Sequence, residues 1–199
     1  MVLCINRRLG RPRQLELAGE ESFGGLVHRG IGGDVDLLEC TAGRIVVLGM
    51  GAFAIENMRT CLERGAAHVT ILCRRRGTVC PQVIDWANFI RPFDSNFRRC
   101  RAGDGVVLRH WHNAYTLSDT TKPECWSVER KLKLDGHTVS TSDMFFIAHS
   151  LKVTATQLGE VARLDPGAVV TQHQEKLSAS VVIKCVGFEI NESNELLLG

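Results

Sequence analysis

The residues best placed to do chemistry are Gly49, Gly51 and Ala54, spaced as Gly-x-Gly-x-x-Ala directly after Ile45-Val46-Val47-Leu48. An apolar, largely β-branched run ending on two such glycines predicts a buried strand that hands over to a helix. The first amides of that helix have no partner within it, and the positive end of the helix dipole lies behind them. Together they attract a pyrophosphate. The pattern nominates Gly49, Gly51, Ala52, Phe53 and Ala54 as dinucleotide-contacting residues. The competing reading is an ordinary tight turn between strand and helix with no ligand.

A second cluster, Arg74-Arg75-Arg76, follows the apolar run 69–73. In a dinucleotide-binding unit the end of the second strand lies beside the adenine ribose, where an acid would accept hydrogen bonds from both hydroxyls and select NAD. Cys73 stands there instead, and the nearest downstream acid is Asp85. A guanidinium pairs bidentately with a 2′-phosphate, which a carboxylate would repel. Arg74 and Arg75 therefore favour NADP over NAD, with a solvated basic loop as the alternative.

These residues need elements to hold them. The stretch 52–64 predicts a helix with Ile55, Met58 and Leu62 on one face and Glu56, Arg59 and Glu63 on others, closed by Gly65 as a left-handed C-cap. With strands at 44–48 and 69–73 it completes a βαβ unit. Residues 77–150 read as a partly helical insertion: a helix at 81–90 ended by Arg91-Pro92, an extended segment placing His110 and His112 on one side, and a buried apolar helix at 142–151. Two histidines without a third ligand do not make a zinc site, so no metal is assigned. Arg98, Arg99 and Arg101 add positive charge facing either phosphates or solvent. From 152 onward the pattern changes to short strands at 153–157, 160–164 and 168–173, turning at Asp165-Pro166-Gly167. A last strand, 178–186, stops at Gly187-Phe188. The fold class expected is α/β: a Rossmann-like three-layer dinucleotide-binding domain with a parallel sheet and an inserted β-meander.

Residues 1–43 show little regular periodicity and read as a connecting segment, with a short strand at 1–5 and an exposed basic loop around Arg7, Arg8, Arg11 and Arg13. Six glycines between 15 and 33 predict repeated turns. Gly30-Ile31-Gly32-Gly33 is not read as a second phosphate loop, because no apolar strand is evident before it. Residues 44–190 form the dinucleotide-binding domain and 191–199 a tail.

Composition narrows the partners. In 199 residues the apolar fraction is 44%, the charged fraction 23% and the formal charge +2, an ordinary globular balance with nothing that requires nucleic acid. No apolar run reaches membrane-span length, and Arg7 and Arg8 follow a very short apolar run, the reverse of a signal peptide's order. The eight cysteines include no Cys-x-x-Cys pair and read as reduced thiols, so the expected location is cytoplasmic. Asn191-Glu192-Ser193 matches a glycosylation sequon, read as chance without a secretory signal.

From about Arg11 to Glu189, with a patchy stretch at 77–150, the chain resembles the NADP-binding half of a flavin-containing monooxygenase-like flavoprotein. Gly49, Gly51 and Ala54 match the family's second dinucleotide motif, and Arg74 stands at its 2′-phosphate arginine. Gly24-x-x-x-His28 is similar to the Phe-x-Gly-x-x-x-His fingerprint, and Lys184-Cys185-Val186-Gly187-Phe188 to the Ala-Thr-Gly-Tyr/Phe segment that ends the domain; the latter nominates Gly187. The departures are Ser22 at the fingerprint aromatic with Phe23 one residue late, no aromatic after His28, Val186 for the final threonine, and Phe53 where a small residue is common. The flavin's own Gly-x-Gly-x-x-Gly turn is absent from residues 1–43.

The resemblance implies NADPH as reductant for FAD, and reduced FAD as the group that activates oxygen to oxygenate a nucleophilic nitrogen or sulfur. FAD is implied by family alone, and a flavin domain or oligomer mate is the implied partner. No catalytic acid or base is assigned; His28 is the nearest candidate, and a loop histidine holding backbone carbonyls is the competing role. A short-chain dehydrogenase needs Tyr-x-x-x-Lys, whereas Tyr115 is followed four residues on by Asp119. The remaining rival is a non-catalytic nucleotide-binding module or gene fragment.

Overall fold

The computed structural model describes residues 11–31, 40–89, 104–116, 121–123 and 139–189. In chain order its elements are β1 (Leu26–His28), β2 (Arg44–Leu48), α1 (Ala52–Glu63), β3 (His68–Cys73), β4 (Val79–Cys80), α2 (Gln82–Phe89), α3 (Asp104–Thr116), β5 (Ser140–Thr141), α4 (Asp143–Ser150), β6 (Thr154–Leu158), β7 (Val161–Asp165), β8 (Ala168–Thr171), β9 (Lys176–Ser178) and β10 (Val181–Lys184). A 3-10 turn at Glu20–Ser22 precedes β1.

The sheet follows from strands that are apolar on both faces. Ile45 to Leu48 of β2 are all buried, as are Val181, Val182 and Ile183 of β10, which is how a strand covered on two sides reads. Five strands pair in parallel in the order β1-β10-β2-β3-β6. Side chains alternate across them. Ile45, Val47, Val69, Ile71, Val181 and Ile183 meet Ala54, Ile55, Met58 and Cys61 of α1, Phe145 and Phe146 of α4, and Trp111 and Tyr115 of α3. Val46, Leu48, Leu72 and Val182 meet Phe23, Leu164, Val169 and Ala179 on the other face. The three layers are thus helices, parallel sheet, and the antiparallel meander β7-β8-β9. Each fully buried aliphatic residue contributes about 1.5–3 kcal/mol, so the two cores together define which face each strand turns where.

Several expectations change. Residues 154–158 are not part of the meander: β6 pairs parallel with β3 and forms the sheet edge, because α4 carries the chain back across the helix face first. Ser178 ends β9 and the last parallel strand begins at Val181. His110 and His112 lie in α3 rather than in an extended segment, with Trp111 buried between them. At about 100° per residue, positions two apart on a helix point to different sides. Helix α4 is shorter than 142–151: Ser142 is its N-cap, accepting from the Phe145 amide at 3.3 Å, and Ile147 and Leu151 are exposed. Leu26–His28, within the glycine-rich stretch, forms the edge strand β1, so a strand does precede Gly30. The expected strand at 1–5, the basic loop up to Arg8, Arg91-Pro92, Arg98, Arg99, Arg101 and the tail 191–199 lie outside the described residues.

Helix α3 is anchored to β4 by a buried polar contact. The Tyr115 hydroxyl donates to the Val79 carbonyl at 2.5 Å and accepts from the Val79 amide at 2.7 Å, while the Trp111 indole donates to the same carbonyl at 2.8 Å. Segments 11–13 and 187–189 run antiparallel: Pro12 bridges Phe188, Arg13 N–H donates to Gly187 at 3.0 Å, and Glu189 N–H donates to Arg11 at 2.8 Å. No helix among the described residues is long and apolar enough to cross a membrane.

Candidate functional site

Because the sheet is parallel, the carboxyl ends of all five strands meet at one edge, and β2, the middle strand, ends there in the glycine-rich turn. The two glycines do different work. Gly49 has φ +102°, its amide donates to Leu72 at 2.8 Å, and a Cβ on it would lie 2.4 Å from the Cys185 carbonyl oxygen. Only glycine lets the turn pass this close to the end of β10. Gly51 has φ −86°, and a Cβ there would meet nothing within 4 Å. It borders open space at the helix start.

Helix α1 begins uncapped. Its first bond runs from the Ile55 amide to the Gly51 carbonyl at 3.1 Å, and no side chain caps the turn or places an acid in it. The amides of Ala52, Phe53 and Ala54 precede that bond, so they are the donors an anion would meet. Ala54 is fully buried beneath them. Phe53 is 40% exposed and rests against Phe188, with ring centroids 5.3 Å apart and planes at 58°. This aromatic contact ties the first turn of α1 to the segment that carries Gly187.

The arginine loop is held to the same turn. Gly77 donates its amide to the Met50 sulfur at 3.2 Å, and a Cβ on Gly77 would come within 2.8 Å of the Met50 carbonyl oxygen. The Cys73 thiol lies 3.8 Å from that sulfur. Arg74, exposed at the end of β3, points to Glu160, with 3.6 Å between Nε and Oε1. Arg75 is also exposed. The structure therefore brings together residues 49–54, the loop 74–77 and residues 185–188. Within this group Arg74 leans toward the loop after β6, not toward the turn. Gly187 has φ +86°, and its carbonyl accepts from Arg13.

His28 sits in β1, paired with Ile183, so it is a strand residue and not a loop residue. It shares the strand-end edge but lies two strands from the turn. Gly30, which follows, is packed against Asn57 and Ile183, and its carbonyl accepts from the Asn57 amide at 2.9 Å. Protein thus fills the space beside that glycine. Lys184, at the end of β10, makes a half-buried ion pair with Glu20 and donates to the Leu15 carbonyl at 2.5 Å, pinning the incoming segment to the sheet. Desolvation pushes the Cys185 thiol up to about 12, so it is no nucleophile at neutral pH. No group of three or more His, Cys, Asp or Glu among the described residues could hold a metal ion.

Glu160, Met50 and Gly77 were not anticipated from the sequence. Glu160 is remote from Arg74 along the chain and reaches it only because β6 pairs with β3, so no local signal announces it. The Met50–Gly77 contact likewise depends on where the loop folds back.

No family model matches the chain, and no curated protein matches it. Solved structures do resemble it. OTEMO in complex with FAD and NADP superposes with a TM-score of 0.65 at 12% identity over 94% of this chain and 47% of that one. An open form of cyclohexanone monooxygenase gives 0.61 at 12% over 94% and 48%. An oxidized steroid monooxygenase bound to NADP gives 0.59 at 13% over 90% and 45%. The chain spans about half the length of these proteins. It shares with them a Rossmann-like α/β fold that recurs among flavin-dependent monooxygenases.

Proposed function

We propose that this chain is the NADP(H)-binding portion of a flavin-dependent monooxygenase-type oxidoreductase. The observation that carries the reading is the helix start at the central strand's end: three amides without helical partners, an open face at Gly51, and Arg74 and Arg75 on a loop tied to the turn through Met50. These residues fit a dinucleotide. The amides of Ala52, Phe53 and Ala54 would hold the pyrophosphate, Gly51 would admit it, and Arg74 with Arg75 would pair with the 2′-phosphate. When bound, the nicotinamide supplies hydride for a flavin. The protein's part here is to bind and orient.

FAD is a separate matter. Gly30 follows a strand, but it packs against Asn57 and Ile183, and no described residue is assigned to FAD. The antiparallel pairing of 11–13 with 187–189 suits a domain whose two connections leave side by side toward a flavin domain. A module that binds nucleotide without turnover is the second reading, favoured because no described residue is assigned to FAD.

The test is titration of the purified chain with NADP and NADPH, with flavin absorbance and oxygen-dependent NADPH consumption followed in parallel. Binding weakened roughly tenfold by Arg74→Ala is the expected result, the size of one charge-assisted hydrogen bond. No binding at millimolar concentration, or indifference to Arg74→Ala, would remove the site assignment. A yellow protein that consumes NADPH would mean that the chain holds flavin itself. A colourless one that binds without consumption fits both readings, and NADPH consumption on adding a separate flavin domain would favour the first.

A further inference from the structure

Resting on the reading of Arg74 as the 2′-phosphate residue, we infer that Glu160 determines cofactor specificity by opposing it. The geometry runs through the sheet edge. Strand β6 pairs with β3 through Cys73 and Leu158, and the Gly159 amide donates to the Cys73 carbonyl at 2.9 Å. This last bond sets Glu160 directly across from Arg74, with its Oε1 3.6 Å from the guanidinium Nε.

Glu160 is also fixed from behind. Gln172 donates its side-chain amide to Oε2 at 2.9 Å and its backbone amide to the Glu160 carbonyl at 2.9 Å. With its carboxylate and its carbonyl both bonded to Gln172, Glu160 is biased toward this position when a ligand arrives. A 2′-phosphate that reaches Arg74 must displace Glu160 from the guanidinium and then lie beside a negative charge. A ribose 2′-hydroxyl meets neither cost, and Glu160 can accept its hydrogen bond. Arg74 thus favours the phosphorylated ribose and Glu160 works against it. The site discriminates less sharply between the two cofactors than Arg74 alone would make it.

The probes are 2′,5′-ADP and 5′-AMP, which differ by the 2′-phosphate alone, titrated into the intact chain and its variants at low and high salt. Glu160→Gln keeps the hydrogen bond to Gln172 and removes the charge. Since both side chains are largely exposed, the effect is that of a screened pair: roughly two- to fivefold tighter binding of 2′,5′-ADP, less at high salt, with 5′-AMP unchanged or weaker. In Arg74→Ala/Glu160→Gln the tightening shrinks to the part due to direct repulsion. If Arg74→Ala weakens 2′,5′-ADP while Glu160→Gln leaves it unchanged, or if Glu160→Gln tightens both probes equally, the role of Glu160 is overturned and the NADP reading stands. If neither wild type nor Glu160→Gln binds 2′,5′-ADP at millimolar concentration, both fall.

Discussion

Gly49 and Gly51 are two residues apart and belong to one motif, yet their surroundings assign them different burdens. A methyl group at 49 would strike the Cys185 carbonyl and would have to adopt φ +102°. Gly49→Ala is expected to cost about 2–4 kcal/mol, combining overpacking with a left-handed penalty. A methyl group at 51 meets nothing within the chain. Gly51→Ala should therefore cost less than about 1 kcal/mol while reducing NADP affinity, because the added carbon occupies the face that a pyrophosphate would approach. Urea denaturation and NADP titration on the two variants separate these effects. Equal loss of stability in both would contradict the difference in packing. Arg74 shows the same dependence on context: its type and place after β3 were readable in the chain, while its ion pair with Glu160 was not.

At the scale of elements, Tyr115 is the side chain that ties α3 most closely to β4. Tyr115 satisfies both the amide and the carbonyl of Val79 from a fully buried position, so α3 and β4 are joined at a single residue. Tyr115→Phe keeps the ring but leaves the Val79 amide without its acceptor; the Trp111 indole still covers the carbonyl. The expected loss is about 1–3 kcal/mol, the cost of one buried unsatisfied group, measurable as a lower urea midpoint at unchanged slope. A comparable case is Phe23, fully buried under the meander face of the sheet. Phe23→Ala is expected to cost about 3–5 kcal/mol. That segment read in the sequence as repeated turns with a Gly24–His28 fingerprint, not as core, and a substantial loss would establish that it is part of the core.

For the whole molecule, stability should fall in mild acid. His149 is buried, its Nδ1 2.6 Å from the Phe145 carbonyl and its Nε2 2.9 Å from the Thr156 hydroxyl. Desolvation holds its pKa below the usual histidine value, and His68 is lowered by burial and by Arg44. Below the unfolded value of about 6.5 the unfolded chain takes up protons that the folded chain refuses. Stability is therefore fully present above that pH and is lost as pH falls toward the folded pKa. Urea midpoints from pH 8 to pH 5 should decline in this window, and His149→Gln should flatten the slope. A midpoint constant across the range would show that these rings titrate normally.

What the sequence determined by itself is whatever rests on near neighbours: the strand into Gly49 and Gly51, the helix after them, the hairpin at Asp165-Pro166-Gly167, and arginines after the second strand. Each is set by periodicity, backbone freedom or charge within a few residues. The tertiary structure alone decided what depends on pairing between distant segments. It made Leu26–His28 an edge strand by offering β10 as a partner, and it placed residues 154–158 beside β3 instead of in the meander. It also turned His110 and His112 to different sides of a helix whose buried face carries Trp111 and Tyr115. Glu160 belongs to this second group. Its charge was visible, but only the β3–β6 register sets it against Arg74, because electrostatic contact depends on distance in space and not along the chain.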